Sequence, residues 1–255
     1  MRAARLSAFV LFAICVATAS AFADSTPPVI TPQASGTLGN NGWYVTDVTV
    51  SFTVSDPDSA VTSTSGCETT VLTVDTTGNT YTCTASSGGG TSSASITVKR
   101  DATSPILDFA GLQATYSVEE TIAIFCNAFD PISGVASSTC TPLTGLAYTF
   151  PLETPLTHSA SAVDNAGNSS AQTVTFTVDV TYEGVAALVD LFVVKASSER
   201  SFTRKLVHAD DAELAANLKA ELRNVNQFIR TVNRLSGRSL DPDDAALLVY
   251  LAGYL

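Results

Sequence analysis

Asp56, Asp58, Asp101, Asp130 and Asp164 are the residues of this 255-residue chain whose type and placement could do chemistry. Each sits at a turn or a junction between apolar segments, and Asn165 follows the last of them. Hard cations such as calcium take several oxygen ligands, which neighbouring loops can supply together. No loop carries a D-x-D-x-D-G run. Asx turns, in which an Asp side chain bonds nearby backbone, account for the same residues without a metal. The sequence therefore predicts no bound cofactor, with calcium at these aspartates as the alternative.

Catalytic constellations are not visible. His158 and His208 are the two histidines, far apart in sequence, and neither accompanies a Ser or Cys motif that would suggest a triad. There is no G-x-S-x-G, H-E-x-x-H or Walker sequence. Gly88-Gly89-Gly90 lacks the Lys and Ser/Thr of a phosphate loop and reads as a wide hairpin turn. Glu119-Glu120 could be half of an acid–base pair. Between Val118 and Ile122, at a strand start, they read better as a solvated turn. The expectation is a protein that is not an enzyme, with no catalytic residue.

Arg2 and Arg5, an apolar run from Leu6 to Ala19, and Ala21-Phe22-Ala23 before Asp24 form the three parts of a cleavable secretory signal. The apolar run is shorter than the about 20 residues of a membrane span, and no later stretch is long enough. Signal removal takes Cys15 with it and leaves Cys67, Cys83, Cys126 and Cys140, an even number in an oxidising compartment. Four cysteines allow three pairings; sequence proximity favours Cys67–Cys83 and Cys126–Cys140. Loops of about 15 residues give each bridge roughly 3 kcal/mol in the chain-entropy model. Zinc is the rival reading, but no C-x2-C spacing occurs and neither His lies beside a Cys pair.

The formal net charge is −11, and loss of Arg2 and Arg5 makes it more negative by two. Lys99 and Arg100 are the sole bases from Asp24 to Val180. Nucleic acid is excluded as a partner, because a phosphate backbone needs clustered Lys and Arg.

Strand patterning fills the same region. Val48 to Val54, Tyr81 to Ala85, Ala94 to Val98 and Val174 to Val178 alternate with period two. Gly, Pro, Asn, Asp and Ser separate them, which suggests antiparallel sandwiches. The region also repeats itself. Asp56 to Ser63 matches Asp130 to Ser137, 74 residues later by number, and the leads Thr26-Pro27-Pro28-Val29 and Thr103-Ser104-Pro105-Ile106 correspond. Cys67 and Cys140 hold the same loop position, whereas Cys83 and Cys126 do not correspond. One loop is then stapled in two ways if both partner strands flank it. These segments resemble bacterial extracellular immunoglobulin-like modules. The resemblance rests on the Pro lead, Asn41-Gly42-Trp43-Tyr44, the Asp-Pro turn with its following Cys, Lys99 to Thr103, and Asp164-Asn165-Ala166-Gly167-Asn168. It implies spacer, stalk or adhesive modules.

After Thr181 the apolar spacing becomes helical. It predicts helices over 183–195, 198–208, 211–235 and 242–252, with Leu214, Leu218, Leu222, Val225, Ile229 and Val232 as one apolar stripe that packs against the other helices or, as the rival reading, forms a partner groove. His208 falls near the end of the second. Gly237 suits a helix stop, and Asp241-Pro242-Asp243-Asp244 a start. Asn226 to Ile229, Val232, Leu235 to Leu240 and Ala245 to Leu248 resemble the FIMAH helical module at the ends of secreted bacterial proteins. That resemblance implies a terminal cap or docking element and no catalysis.

The sequence thus predicts a multidomain chain: a signal over 1–23, all-β immunoglobulin-like sandwiches over 24–100 and 101–180, and a small all-α bundle over 181–255. The expected role is a secreted structural or adhesive spacer meeting a cell-surface protein or polysaccharide. Carbohydrate binding, with Trp43 and Tyr44 as the aromatic platform, is the first rival, though a sole Trp in a sandwich reads at least as well as core. An accessory subunit of an exported enzyme system is the second.

Overall fold

The computed structural model describes residues 24–193 and 196–255; the predicted signal over 1–23 lies outside them. No helix among the described residues is long and apolar enough to cross a membrane. The chain separates into two compact units. The first holds 24–36, 47–73 and 78–98; the second holds 37–46, 74–77 and 99–255.

The first sandwich has seven strands: β1 Val29–Ser35, β2 Trp43–Tyr44, β3 Val48–Ser55, β4 Ser63–Ser65, β5 Thr70–Leu72, β6 Thr76–Ser87 and β7 Gly90–Arg100. The second has β8 Ile106–Ala110, β9 Thr115–Ser117, β10 Thr121–Phe129, β11 Val135–Ser138, β12 Leu143–Leu146, β13 Leu156–Asp164 and β14 Ser169–Asp179. Sheet order in the first is β1-β3-β5 against β2-β7-β6-β4; in the second it is β8-β10-β12 against β11-β13-β14-β9. Taken strand by strand the two orders are the same. Each even includes one short parallel pair, Trp43 opposite Lys99 and Tyr116 opposite Val178. The repeat seen in the sequence is therefore a repeat of topology, and both modules are immunoglobulin-like β-sandwiches.

Period-two patterning does what it predicts. Val48 and Val50 on β3 are buried while Thr49 between them is exposed, and Val174, Phe176 and Val178 on β14 are buried in turn. The two cores differ in size. Trp43, Val48, Val50, Leu72, Cys83, Ala85 and Val98 are the buried apolar residues on the strands of the first. In the second, Tyr116, Ile122, Ile124 and Phe176 are all nearly inaccessible. The Tyr116 hydroxyl donates to the Gly111 carbonyl at 2.8 Å and accepts from the Gln113 N–H at 3.0 Å, so its polar end is satisfied inside.

Both proposed disulfides are present. Cys67–Cys83 has a Cα separation of 4.5 Å and Cys126–Cys140 one of 5.1 Å. Cys67 follows β4 and joins β6, its neighbour in the same sheet. Cys140 follows β11 and joins β10 of the opposite sheet. The same loop is indeed stapled in two directions.

Four helices complete the second unit: α1 Tyr182–Phe192, α2 Ala196–Leu214, α3 Leu218–Leu235 and α4 Pro242–Leu251. Thr181 caps α1 by accepting from the Gly184 N–H, and Asp241 caps α4 ahead of Pro242. Gly184 lets α1 lie against the Ser117–Glu120 turn, since a Cβ there would meet Val118 Cγ2 at 3.0 Å and collide with Ser117 and Glu119. Val185, Leu188 and Val189 then join Val118, Ile122 and Phe176 in one contiguous buried cluster, which runs on to Phe228, Leu248 and Leu251.

The helices expected over 198–208 and 211–235 divide elsewhere: α2 runs unbroken through 209–210 to Leu214, and α3 begins at Leu218. Ala216 takes a left-handed conformation with φ 53°, and Asn217 caps α3 through its side chain on the Ala220 N–H. Ala215 and Ala216 are good helix formers, so propensity read straight through a break made by a cap. With the break, His208 lies inside α2 rather than near its end. The expected stripe is also only half buried: Val225 and Val232 are inside, but Leu214, Leu218 and Leu222 are exposed.

Candidate functional site

Three of the five candidate aspartates converge within the second unit. One carboxylate oxygen each from Asp101, Asp130 and Asp164 lie within 4.8 Å of one another, and all three residues are buried. Sandwich topology brings them together. Asp101 follows β7, Asp130 follows β10, and Asp164 ends β13, so the leading segment, the Asp-Pro turn and the last hairpin meet at one end of the sandwich.

Each carboxylate is held by the turn it organises. Asp130 Oδ1 accepts the N–H groups of Ile132, Ser133 and Gly134 at 2.9–3.1 Å. Asp101 Oδ1 accepts from the Thr103 N–H, and its Oδ2 from the Ser133 N–H at 3.0 Å. Asp164 Oδ1 accepts from the N–H groups of Gly167 and Asn168, while its Oδ2 accepts from the Asn168 amide at 2.8 Å. Asx turns are thus real at all three positions. Asp130 Oδ2 remains buried with no hydrogen-bond partner, and so does Ser133 Oγ.

The loop 37–46 braces the hairpin of Asp164. The Asn40 N–H donates to the Ala166 carbonyl at 2.7 Å and the Asn41 amide to the Asn165 carbonyl at 2.9 Å. Asn41 and Gly42 both have positive φ, 52° and 73°, which Asn-Gly tolerates well. Beside it, the Arg100 guanidinium reaches Asp75 Oδ1 at 2.5 Å and the Thr46 carbonyl at 3.1 Å. Asp75 in turn accepts from the Ala102 N–H and the Thr103 hydroxyl. The segment around Asp101 is fastened on both sides.

The other candidates stand apart from this cluster. Asp56 and Asp58 lie in the first unit. Asp56 is held below the ordinary carboxylate value by the Ser87 hydroxyl and then by the N–H groups of Ser59 and Asp58. Trp43 is 8% exposed, and Lys99 Nζ stands 4.9 Å above its ring, so it presents no open stacking face; Tyr44 beside it is half-buried. His158 puts Nε2 3.0 Å from the Thr141 carbonyl and its ring edgewise to Phe109. His208 is exposed, 3.9 Å from Asp211. Glu120 accepts from the Ser117 N–H and Glu119 from the Ser117 hydroxyl, so the pair forms a turn, but a half-buried one with Glu119 against Gly184 of α1 rather than a solvated one. Gly88-Gly89 is a tight hairpin turn between β6 and β7 rather than a wide one.

A groove of about 340 Å³ opens where β14 passes into α1, lined in part by Glu183, Asp210, Glu213 and Tyr254. Burial, and then its hydrogen bond to Glu221, pushes the Tyr182 phenol at its edge well above its ordinary value. The groove brings together acids and no nucleophile–base pair.

No family model and no curated protein matches the chain. Solved structures that resemble it are fibronectin(III)-like modules of Clostridium thermocellum CbhA (13% identity, 59% of this chain and 94% of that one, TM-score 0.25), an I-band fragment of titin (16%, 60% and 66%, 0.30) and the protocadherin gammaB7 cis-dimer (15%, 60% and 51%, 0.27). The chain thus spans less than two thirds of the titin and protocadherin fragments. Likenesses of this size carry no argument about what it does.

Proposed function

We propose that this chain is an exported, non-enzymatic structural or adhesive spacer that presents or docks a partner, a protein or a polysaccharide, at the cell exterior. The observation that carries the reading is the doubled sandwich: the same two-sheet order twice, each copy stapled by its own disulfide. Disulfides belong to oxidising, extracytoplasmic compartments, and stapled sandwiches are stiff elements suited to a spacer. The helical end is then a FIMAH-like docking element.

The test is retention of the oxidised chain on cell-surface fractions separated into protein and polysaccharide. Deleting 181–255 would strip Val185, Leu188 and Val189 from the second sandwich, so the docking variant is Leu218→Glu with Leu222→Glu, both on exposed positions. Retention by a protein fraction, reduced about tenfold in that variant, is the expected result (~1.4 kcal/mol). Retention by polysaccharide, indifferent to these changes, would move the role to carbohydrate binding. Retention by neither fraction would remove the docking part of the reading.

A further inference from the structure

We propose that Asp101, Asp130 and Asp164 bind one hard divalent cation, calcium, through a carboxylate oxygen each. Opposite oxygens on a calcium ion about 2.4 Å away stand about 4.8 Å apart, so three oxygens within 4.8 Å of one another fit around one ion.

Charge and burial point the same way. Asp101 is 0% exposed, Asp164 1% and Asp130 6%. Among the described residues, every hydrogen bond these carboxylates accept comes from a backbone N–H or from the Asn168 amide, and none from a cation. Grouped carboxylates removed from water need a counter-charge, since neutral donors offset only part of the desolvation and none of the mutual repulsion. Asn168 is shared further, its amide also facing the carbonyls of Asp101 and Thr103.

The orphaned oxygen identifies where the ion goes. Asp130 spends Oδ1 on three N–H groups, which leaves Oδ2, buried and unpartnered, as its free ligand atom. Asp56 Oδ2 in the first sandwich is buried and unpartnered too, but among the described residues no three carboxylates converge there, as they do at Asp130. Ser133 Oγ, also buried and unpartnered, sits on the residue whose N–H bonds both Asp101 and Asp130, and is a neutral oxygen of the same hard kind. No His or Cys joins the group, so the donor set selects calcium over zinc. Calcium here ties the leading segment, the Asp-Pro turn and the last hairpin together.

The spacer reading is tested on partner fractions, so the two stand or fall separately. Calorimetric titration of the oxidised chain, stripped with EDTA and dialysed, uses calcium chloride alone and magnesium chloride alone. The expected result is one calcium per chain with Kd on the order of 10⁻⁴–10⁻³ M, as in other extracellular sites. Saturating calcium should raise Tm by about 5 °C. Asp130→Asn keeps an oxygen for the three N–H groups and removes the charged ligand. It should lose the calcium heat and the calcium-dependent Tm shift, while its Tm in EDTA is no lower than that of the parent. The proposal is overturned if the parent gives neither heat nor shift up to about 10 mM calcium, well above the range for extracellular modules. Binding of magnesium but not calcium, or undiminished calcium binding by Asp130→Asn, also overturns it. Should Asp130→Asn fail to fold, the parent titration decides alone.

Discussion

The Asp-Pro ends of the two sandwiches begin from one plan and finish differently. In both, the turn aspartate accepts the N–H groups two and three residues on, Asp58 and Ser59 for Asp56, Ile132 and Ser133 for Asp130. In both, an aspartate ahead of the Pro lead is tied to the turn serine: Asp24 through the Ser59 hydroxyl at 2.5 Å, Asp101 through the Ser133 N–H at 3.0 Å. The third position separates them. At the end of β6 stands Ser87, whose nearby hydroxyl lowers the Asp56 carboxyl; at the end of β13 stands Asp164. Asp24 and Asp56 are half-buried, whereas the three aspartates of the second sandwich are inaccessible. A hydroxyl at the third position adds no further negative charge to the turn. A third carboxylate, once buried, makes the same turn depend on something positive. Turn chemistry alone thus does not decide whether such an end needs an ion; one residue on the last hairpin does.

The largest expected contrast between the sandwiches comes from removing their staples. Cys67→Ala with Cys83→Ala, or Cys126→Ala with Cys140→Ala, costs about 3 kcal/mol in the chain-entropy model. The small core of the first sandwich has little else to set against that loss, while the second draws on the cluster it shares with the helices. Calorimetry should show a separate early transition for the first pair and only a lowered main transition for the second. Next comes exchange of the third residue. Asp164→Ser should weaken calcium binding at least tenfold (~1.4 kcal/mol), and Ser87→Asp should add a second, weaker calcium to the parent stoichiometry. Equal titrations for parent and Ser87→Asp would mean that burial, not the third carboxylate, is what the first sandwich lacks.

The smallest effect is in acid. Hydrogen bonds hold Asp24, through Ser59 first, and Asp56, through Ser87 first, below the ordinary 3.8. A carboxyl whose value is lowered in the fold stabilises it fully above its unfolded value, and the contribution disappears as pH falls through the lowered one. Melting followed from about pH 5 to about pH 2 should therefore show an additional loss below 3.8 that Ser59→Ala with Ser87→Ala reduces.

Local pattern carried most of the architecture. The alternation of Val48 to Val54 and Val174 to Val178, the Asp-Pro repeat and the paired cysteines are all written in short stretches, and the strands, topology and bridges follow them. The five aspartates were also legible as turn residues. Their division into a set of three and a pair was not, because it depends on which turns share an end of a sandwich, a matter of strand order rather than spacing. Trp43 illustrates the same limit: an aromatic before a strand reads equally as platform or core until its burial under Lys99 is seen. Helix α3 failed for a local reason, since the cap at Asn217 follows two alanines that hide it.

The common core of the second sandwich and the helices sets an order of assembly. Chains are made and exported from the amino terminus, and units fold as they become complete. The wall of Val118, Ile122 and Phe176 has its cover in Val185, Leu188 and Leu248, which are made after it. The first sandwich has all its strands early, whereas the second must wait with its apolar face open until the helices arrive. A premature stop anywhere in 181–255 therefore harms more than the helices: it leaves a finished set of strands that cannot close.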